Sequence, residues 1–243
     1  MRLLFLAHAG GSASSYVSFK RFLPEGITCT ALELAGRGKR IDEEFHKTLE
    51  EYAADVLEKY AEEFKDDDYM IFGHSMGGLM AYEINRLLVE RGMPLPKHVF
   101  ISGRAAPDVY VSLGISYTDT ADIDLLRFFS DEQAVRLFEN NPEVASMMGA
   151  ILRSDLLTVD CYDTKKSLCP FACDITILTG EDDILMEAKG MEGWKSYTQG
   201  KAQIVQFPGG HFYFGTQKEA VCDVIAKKYK EITHASITDE NKL

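Results

Sequence analysis

The segment Gly73-His74-Ser75-Met76-Gly77-Gly78 has the residue types and spacing of a nucleophilic serine. Glycines stand two before and two after Ser75, where larger side chains would collide with a neighbouring strand and helix as the chain reverses. An apolar run, 69–73, precedes the motif, and a pattern of helical spacing, 76–91, follows it. A serine on so sharp a turn presents its Oγ beyond the sheet edge, available to attack an acyl carbonyl. The Met76 N–H then falls at a helix start, where the dipole favours negative charge, so it is a candidate oxyanion donor. A G-x-S-x-G string arises by chance in about 10% of chains this long, so its place between strand and helix carries the reading.

Six short apolar runs read as strands: 2–8, 27–34, 69–73, 97–102, 174–179 and 202–207. Each is bounded by Gly, Pro or charged residues, which suits strands buried on both faces of a parallel sheet. Helical patterns at 14–23, 49–64, 76–91, 186–199 and 217–232 lie among them. In the second, Leu49, Tyr52, Ala53, Val56, Leu57, Tyr60, Ala61 and Phe64 recur at helical spacing, as expected of an amphipathic crossover helix. Alternation of this kind predicts an α/β fold with a doubly wound, mainly parallel sheet and right-handed crossovers. Residues 110–164 break it with helical patterns only, at 121–129, 131–139 and 143–160. The expectation is an α/β-hydrolase core, 1–109 and 165–243, with 110–164 inserted as a helical lid over the active site.

In that fold the order along the chain is Ser, then Asp or Glu, then His. His211 follows the last expected strand in Phe207-Pro208-Gly209-Gly210-His211-Phe212 and is the candidate base. His8, His46 and His74 come too early, His98 opens an expected strand, and His234 lies in an expected frayed tail. For the acid, the strand at 174–179 ends in Gly180-Glu181-Asp182-Asp183. Asp183 is the first choice, with Asp182 its close competitor and Asp108 a geometric outsider. The second oxyanion donor should come from the loop His8-Ala9-Gly10-Gly11-Ser12, with Ala9 preferred and Gly10 as the alternative.

Composition narrows the partners. The chain of 243 residues is 46% hydrophobic and 26% charged, an ordinary globular balance. Its 38 acidic against 26 basic residues give a net charge of −12, which argues against nucleic acid or an anionic membrane as partner. Five scattered cysteines, Cys29, Cys161, Cys169, Cys173 and Cys222, do not form a disulfide framework and fit a reducing cytoplasm. Cys161, Cys169 and Cys173 lack a fourth ligand at zinc spacing, so no metal is expected, and no cofactor either. The apolar start is shorter than the roughly 7–15 residues of a signal-peptide core, and His8 ends it.

These residues resemble the stand-alone type II thioesterases that accompany polyketide and non-ribosomal peptide synthetases. Phe5 to Ala13 looks like that family's first strand and oxyanion loop, and Glu33-Leu34-Ala35-Gly36-Arg37-Gly38-Lys39-Arg40 its second-strand loop, with Ala35 where Pro is common. The elbow with the helix after it, Leu152-Arg153-Ser154-Asp155, Thr179 to Asp183 and Pro208 to Phe212 complete the match over nearly the whole chain. The catalytic Asp of that pattern is the one three after the Gly, which again selects Asp183. The resemblance implies hydrolysis of acyl groups from the phosphopantetheine arm of acyl or peptidyl carrier proteins. The residues by themselves support acyl transfer at a serine; thioester over oxygen ester rests on the resemblance. A carboxylesterase or lipase for small oxygen esters is the rival enzyme, and a hydrolase fold kept as a binding module is the non-catalytic one. Carrier proteins are usually acidic, so Arg37, Lys39 and Arg40 are the expected docking residues.

Overall fold

The computed structural model describes residues 1–111, 114–130, 132–163, 165–186 and 188–240. Its apolar runs form β1 (Arg2–Leu6), β2 (Thr28–Leu32), β3 (Tyr69–His74), β4 (His98–Ser102), β5 (Ile175–Gly180) and β6 (Ala202–Phe207). The strands lie in the order β2-β1-β3-β4-β5-β6, every neighbouring pair parallel. Burial follows position: every residue of β3, β4 and β5 is buried, whereas the edge strands β2 and β6 are partly open.

Alternation along the strands sorts the side chains into two cores. Leu4, Leu6 and Ile71 face α1 (Leu49–Lys59) and α2 (Met76–Glu90). Leu3, Phe5, Met70 and Phe72 pack on the opposite side with Tyr16 and Phe19 of a 3-10 helix, Ala13–Arg21. The order of the sheet reverses between β1 and β3, so the chain leaves β1 toward one face and β3 toward the other. Such a reversal opens a crevice at the carboxyl ends of the two strands.

Local chemistry sets the helix limits. Thr48 caps α1 by accepting the Glu51 N–H at 3.2 Å, with Glu50 and Glu51 in the favourable first turn. The helix expected over 49–64 breaks at Tyr60, whose hydroxyl takes the Glu33 N–H at 2.9 Å, and resumes as a 3-10 turn, Ala61–Phe64. The helix expected over 14–23 is 3-10 instead; Tyr16 and Phe19 stand three apart, the spacing that a 3-10 helix places in line. Where one helix was expected over 186–199, α6 (Ala188–Gly193) is followed by a 3-10 turn, Trp194–Tyr197. At the C-terminus a short α7 (Tyr213–Thr216) precedes α8 (Lys218–Glu240), which carries His234 and residues expected to fray. No helix among the described residues is long and apolar enough to cross a membrane.

Between β4 and β5 lie α3 (Asp122–Phe129), α4 (Glu132–Asn140) and α5 (Pro142–Asp160). They share a small core of their own, with Leu125, Leu126, Phe138, Ala145, Leu152 and Leu156. Arg153 ties α5 to the segment before α3, donating to the Thr120 carbonyl at 2.7 Å and to Asp122 at 2.6 Å. A buried ion pair joins the insertion to the loop after β2. Arg37, after β2, donates through both terminal nitrogens to Asp155 of α5, at 2.5 and 2.6 Å, with 1% and 0% of the side chains exposed.

Removing one member strands the other charge without solvent, which typically costs about 3–5 kcal/mol. Asp155→Ala and Arg37→Met are each expected to lose that much stability in urea unfolding, while the double variant Arg37→Met/Asp155→Leu loses less than either. Single variants within about 0.5 kcal/mol of wild type would show that the pair does not hold the insertion down.

Candidate active site

β3 ends at His74, and Ser75 takes φ 53° and ψ −114° before α2 begins. Among the described residues no other non-glycine has positive φ, and such a conformation stores about 1–3 kcal/mol. Close approaches hold the turn. A Cβ on Gly77 would stand 2.2 Å from the Leu6 carbonyl oxygen, and one on Gly73 would stand 2.1 Å from that of Gly77. The Ser75 N–H donates to the Ser102 carbonyl at 2.7 Å, and the Gly78 N–H to the Ser75 carbonyl at 2.9 Å. The elbow is therefore fastened to β1 and β4 as well as to its own helix.

His211 comes from the loop between β6 and α7. Its Nδ1 lies 2.9 Å from Asp183 Oδ2, in the loop after β5. Asp183 is 6% exposed, and its Oδ1 accepts the Leu185 N–H at 3.0 Å. With one carboxylate oxygen so engaged, the other is fixed toward the imidazole and sets which ring nitrogen carries hydrogen. Asp182 is exposed and donates its backbone N–H to the Gly209 carbonyl at 3.0 Å. Asp108 is exposed and bonds the Tyr197 phenol. Of the three candidate acids, Asp183 is the one paired with His211.

Ser75, His211, Ala9 and Met76 line one cleft, which encloses about 610 Å³ including its mouth. The insertion contributes Tyr117, Phe129, Leu156 and Val159 to its walls. The two oxyanion alternatives separate here. The Gly10 N–H is taken by Asp155 Oδ2 at 2.8 Å, whereas no described residue accepts from the N–H of Ala9 or Met76. The same carboxylate that binds Arg37 thus also holds the loop carrying Ala9.

Three histidines meet at the cleft, His8 and His211 on its wall and His74 behind them. The His74 ring lies 4.9 Å from that of His211 and 5.8 Å from that of His8. His74 Nδ1 is 2.8 Å from Ser102 Oγ, which in turn is 2.6 Å from the Tyr213 hydroxyl. Burial, with the neighbouring His211 and then His8, drives His74 well below the ordinary imidazole range. Burial, with His211 and then Arg37, lowers His8 to about 4. Both rings are neutral at pH 7, supports for the site and not competitors for its proton.

The docking assignment needs correction at two of three residues. Arg37 is consumed by Asp155, and Arg40 is 6% exposed, donating to both oxygens of Asp55 at 2.7 and 2.8 Å. Buried guanidiniums already matched to carboxylates have no charge to offer a partner; only Lys39 of the set is exposed. Asp155 was quoted from the sequence only as part of the resemblance, with no role given to it. Its signal was there: an acid among Ile151, Leu152 and Leu156, on the buried face of a helix.

The family model described as "Thioesterase domain" matches residues 1–229, and the chain belongs to that family. It is 28% identical over 240 residues to the gramicidin S biosynthesis protein GrsT of Aneurinibacillus migulanus, covering 95% of this chain and 89% of that one. Thioesterase PikA5 of Streptomyces venezuelae is 29% identical over 229 residues, covering 93% and 80%. Among solved structures, ClbQ of the colibactin NRPS/PKS pathway superposes with a TM-score of 0.84 at 26% identity, covering 96% of this chain and 98% of that one. RedJ, the prodiginine-pathway thioesterase of Streptomyces coelicolor, gives 0.82 at 28% identity, covering 93% and 89%.

The neutral histidines predict an acid limit to stability. His98, 1% exposed with its Nε2 2.9 Å from Thr176 Oγ1, is likewise lowered by burial, then by Lys228, to about 3. An unfolded histidine binds a proton near pH 6.5 that the folded one refuses. The stabilisation is therefore complete above pH 6.5 and is lost as the pH falls toward 4. Each histidine adds a slope of up to about 1.4 kcal/mol per pH unit. Urea unfolding between pH 7 and 4.5 should show stability falling with pH, and His98→Gln should flatten the slope by up to one proton. An unaltered slope in that variant would mean His98 titrates alike in both states.

Proposed function

We propose that this thioesterase releases acyl groups from the phosphopantetheine arm of acyl or peptidyl carrier proteins through an acyl-enzyme on Ser75. One observation carries the catalytic part: His211 bonded to a buried Asp183, in the same cleft as a serine on a strained elbow and two N–H groups without acceptors. The choice of carrier-bound thioesters is supported by relatives named for gramicidin S, PikA5 and colibactin biosynthesis.

His211 Nε2 takes the hydroxyl proton as Ser75 Oγ bonds to the thioester carbonyl carbon. The oxygen becomes an anion between the Ala9 and Met76 N–H groups, each such donor being worth about 3 kcal/mol. Collapse breaks the C–S bond, and the imidazolium returns its proton to the departing pantetheine thiolate. Water, deprotonated by the same imidazole, then attacks the acyl carbon, and Ser75 leaves with that proton as the free acid is released. Asp183 holds the tautomer and stabilises the imidazolium throughout. Residues 110–164 act as a lid over the core formed by 1–109 and 165–243, excluding water through Phe129, Leu156 and Val159. The setting is cytoplasmic, which five unpaired cysteines support.

Intact-mass measurement of an acylated carrier protein tests the reading. Wild type should unload it, and Ser75→Ala should be slower by a factor on the order of 10³ or more. Equal unloading by both would remove Ser75 from the chemistry. A kcat/KM for matched oxygen esters above that for carrier thioesters would favour the esterase instead.

A further inference from the structure

Arg104 stands two residues beyond β4 and lines the cleft that holds Ser75. Its place is fixed from both sides. Its backbone carbonyl accepts the Trp194 indole N–H at 2.7 Å, and a Cβ on Gly78 would lie 3.0 Å from the Arg104 Cβ. The side chain therefore runs over the start of α2.

The contrast with the two arginines nearer the surface loop is sharp. Arg37 and Arg40 each close on a carboxylate through two nitrogens. Arg104 has no ion pair and no side-chain hydrogen bond with any described residue, and its Nε is sealed from solvent without an acceptor. Burial pushes its pKa down to about 10, and the groups that act against this are two phenols, Tyr162 and Tyr117, with no carboxylate among them. It keeps its charge at pH 7. Around it the cleft is apolar, with Val111, Phe129, Leu156, Val159 and Leu185.

An unmatched cation beside apolar walls is costly, because solvent is partly withdrawn and nothing replaces it. A plain alkyl chain entering this space would withdraw more solvent and raise that cost. A carboxylate would do the reverse, meeting the guanidinium fork with two charge-assisted hydrogen bonds. Resting on the hydrolase reading of Ser75, we propose that Arg104 forms an anion subsite in the acyl pocket, so that the preferred acyl groups end in a carboxylate. The substrate class is the half-thioester of a short dicarboxylic acid.

Pantetheine thioesters of succinate and of its neutral isostere, 4-methylpentanoate, test this with the thiol half held constant. Wild type should favour succinyl in kcat/KM by about tenfold or more, and Arg104→Met should lower the succinyl to 4-methylpentanoyl ratio by about 30-fold or more. Arg104→Lys should recover part of it. In wild type, succinamate should inhibit more strongly than the neutral 4-methylpentanamide, a readout that needs no variant to fold. Equal losses on both esters in Arg104→Met would assign the residue to structure or to the pantetheine arm and overturn the subsite. So would a wild-type preference for the neutral ester, with hydrolysis itself intact. Turnover of neither ester by wild type would instead bring down the hydrolase reading, and the subsite with it.

Discussion

The site depends on how closely the start of α2 lies against the end of β1. Where Gly77 passes the Leu6 carbonyl there is room for a hydrogen and nothing larger. That approach lets Ser75 keep its strained backbone, because the turn cannot relax without driving the helix into the strand. It also brings two loops of different origin to one place. The N-terminus of α2 supplies the Met76 N–H, and the loop after β1 supplies that of Ala9. The reversal of strand order sends their chains to opposite faces of the sheet, so the loops part just beyond the strand ends, where the proposed mechanism places the substrate carbonyl.

The loop after β1 has no regular structure to hold it, and a buried charge serves instead. Asp155 lies 118 residues from Arg37 and 145 from Gly10, yet one carboxylate binds both. Its desolvation is tolerable because two guanidinium nitrogens and a backbone N–H surround it. The arrangement links the insertion to the oxyanion loop: α5 cannot leave the body of the protein without releasing the Gly10 N–H. A neutral apolar contact of equal strength would attach the helix as well, but it would not orient a peptide plane. Orientation of the Ala9 N–H one residue earlier is what the proposed chemistry requires.

This division also explains what could be read from the sequence. The strands and the elbow are local patterns, written in apolar runs and glycines at fixed spacing, and they stand within a few residues of where the sequence put them. Chain order pointed to an acid in the loop after β5 for His211, because a parallel sheet brings successive strand ends to one edge, while Asp183 was preferred over Asp182 and Asp108 with the help of the family resemblance. What the sequence hid depends on encounters between distant segments. Arg37, Lys39 and Arg40 read as one basic cluster, but a guanidinium is as useful inside as outside, and only the fold shows Asp155 and Asp55 waiting for two of them. The 3-10 helix at Ala13–Arg21 was missed for a subtler reason: over nine residues, spacings of three and of 3.6 differ by half a turn, too little to separate when two aromatic residues carry the pattern.

Charge around the imidazole completes the physical picture. In the proposed mechanism His211 takes the serine proton and becomes a cation, with the His74 ring 4.9 Å away, ring to ring. A second imidazolium there would oppose it by roughly 3 kcal/mol at an effective dielectric constant of 20. Burying His74 against Ser102 and Tyr213 removes that opposition, since an imidazole that cannot be hydrated stays neutral, and His8 behaves alike at the other side. The two rings fill the space behind His211 with polarisable but uncharged material, so Asp183 is the charge it meets directly. Arg104 is the exception, a permanent cation in the same cleft. In the proposed subsite a substrate carboxylate supplies the counter-charge that no described residue gives Arg104, beside the apolar walls of the cleft.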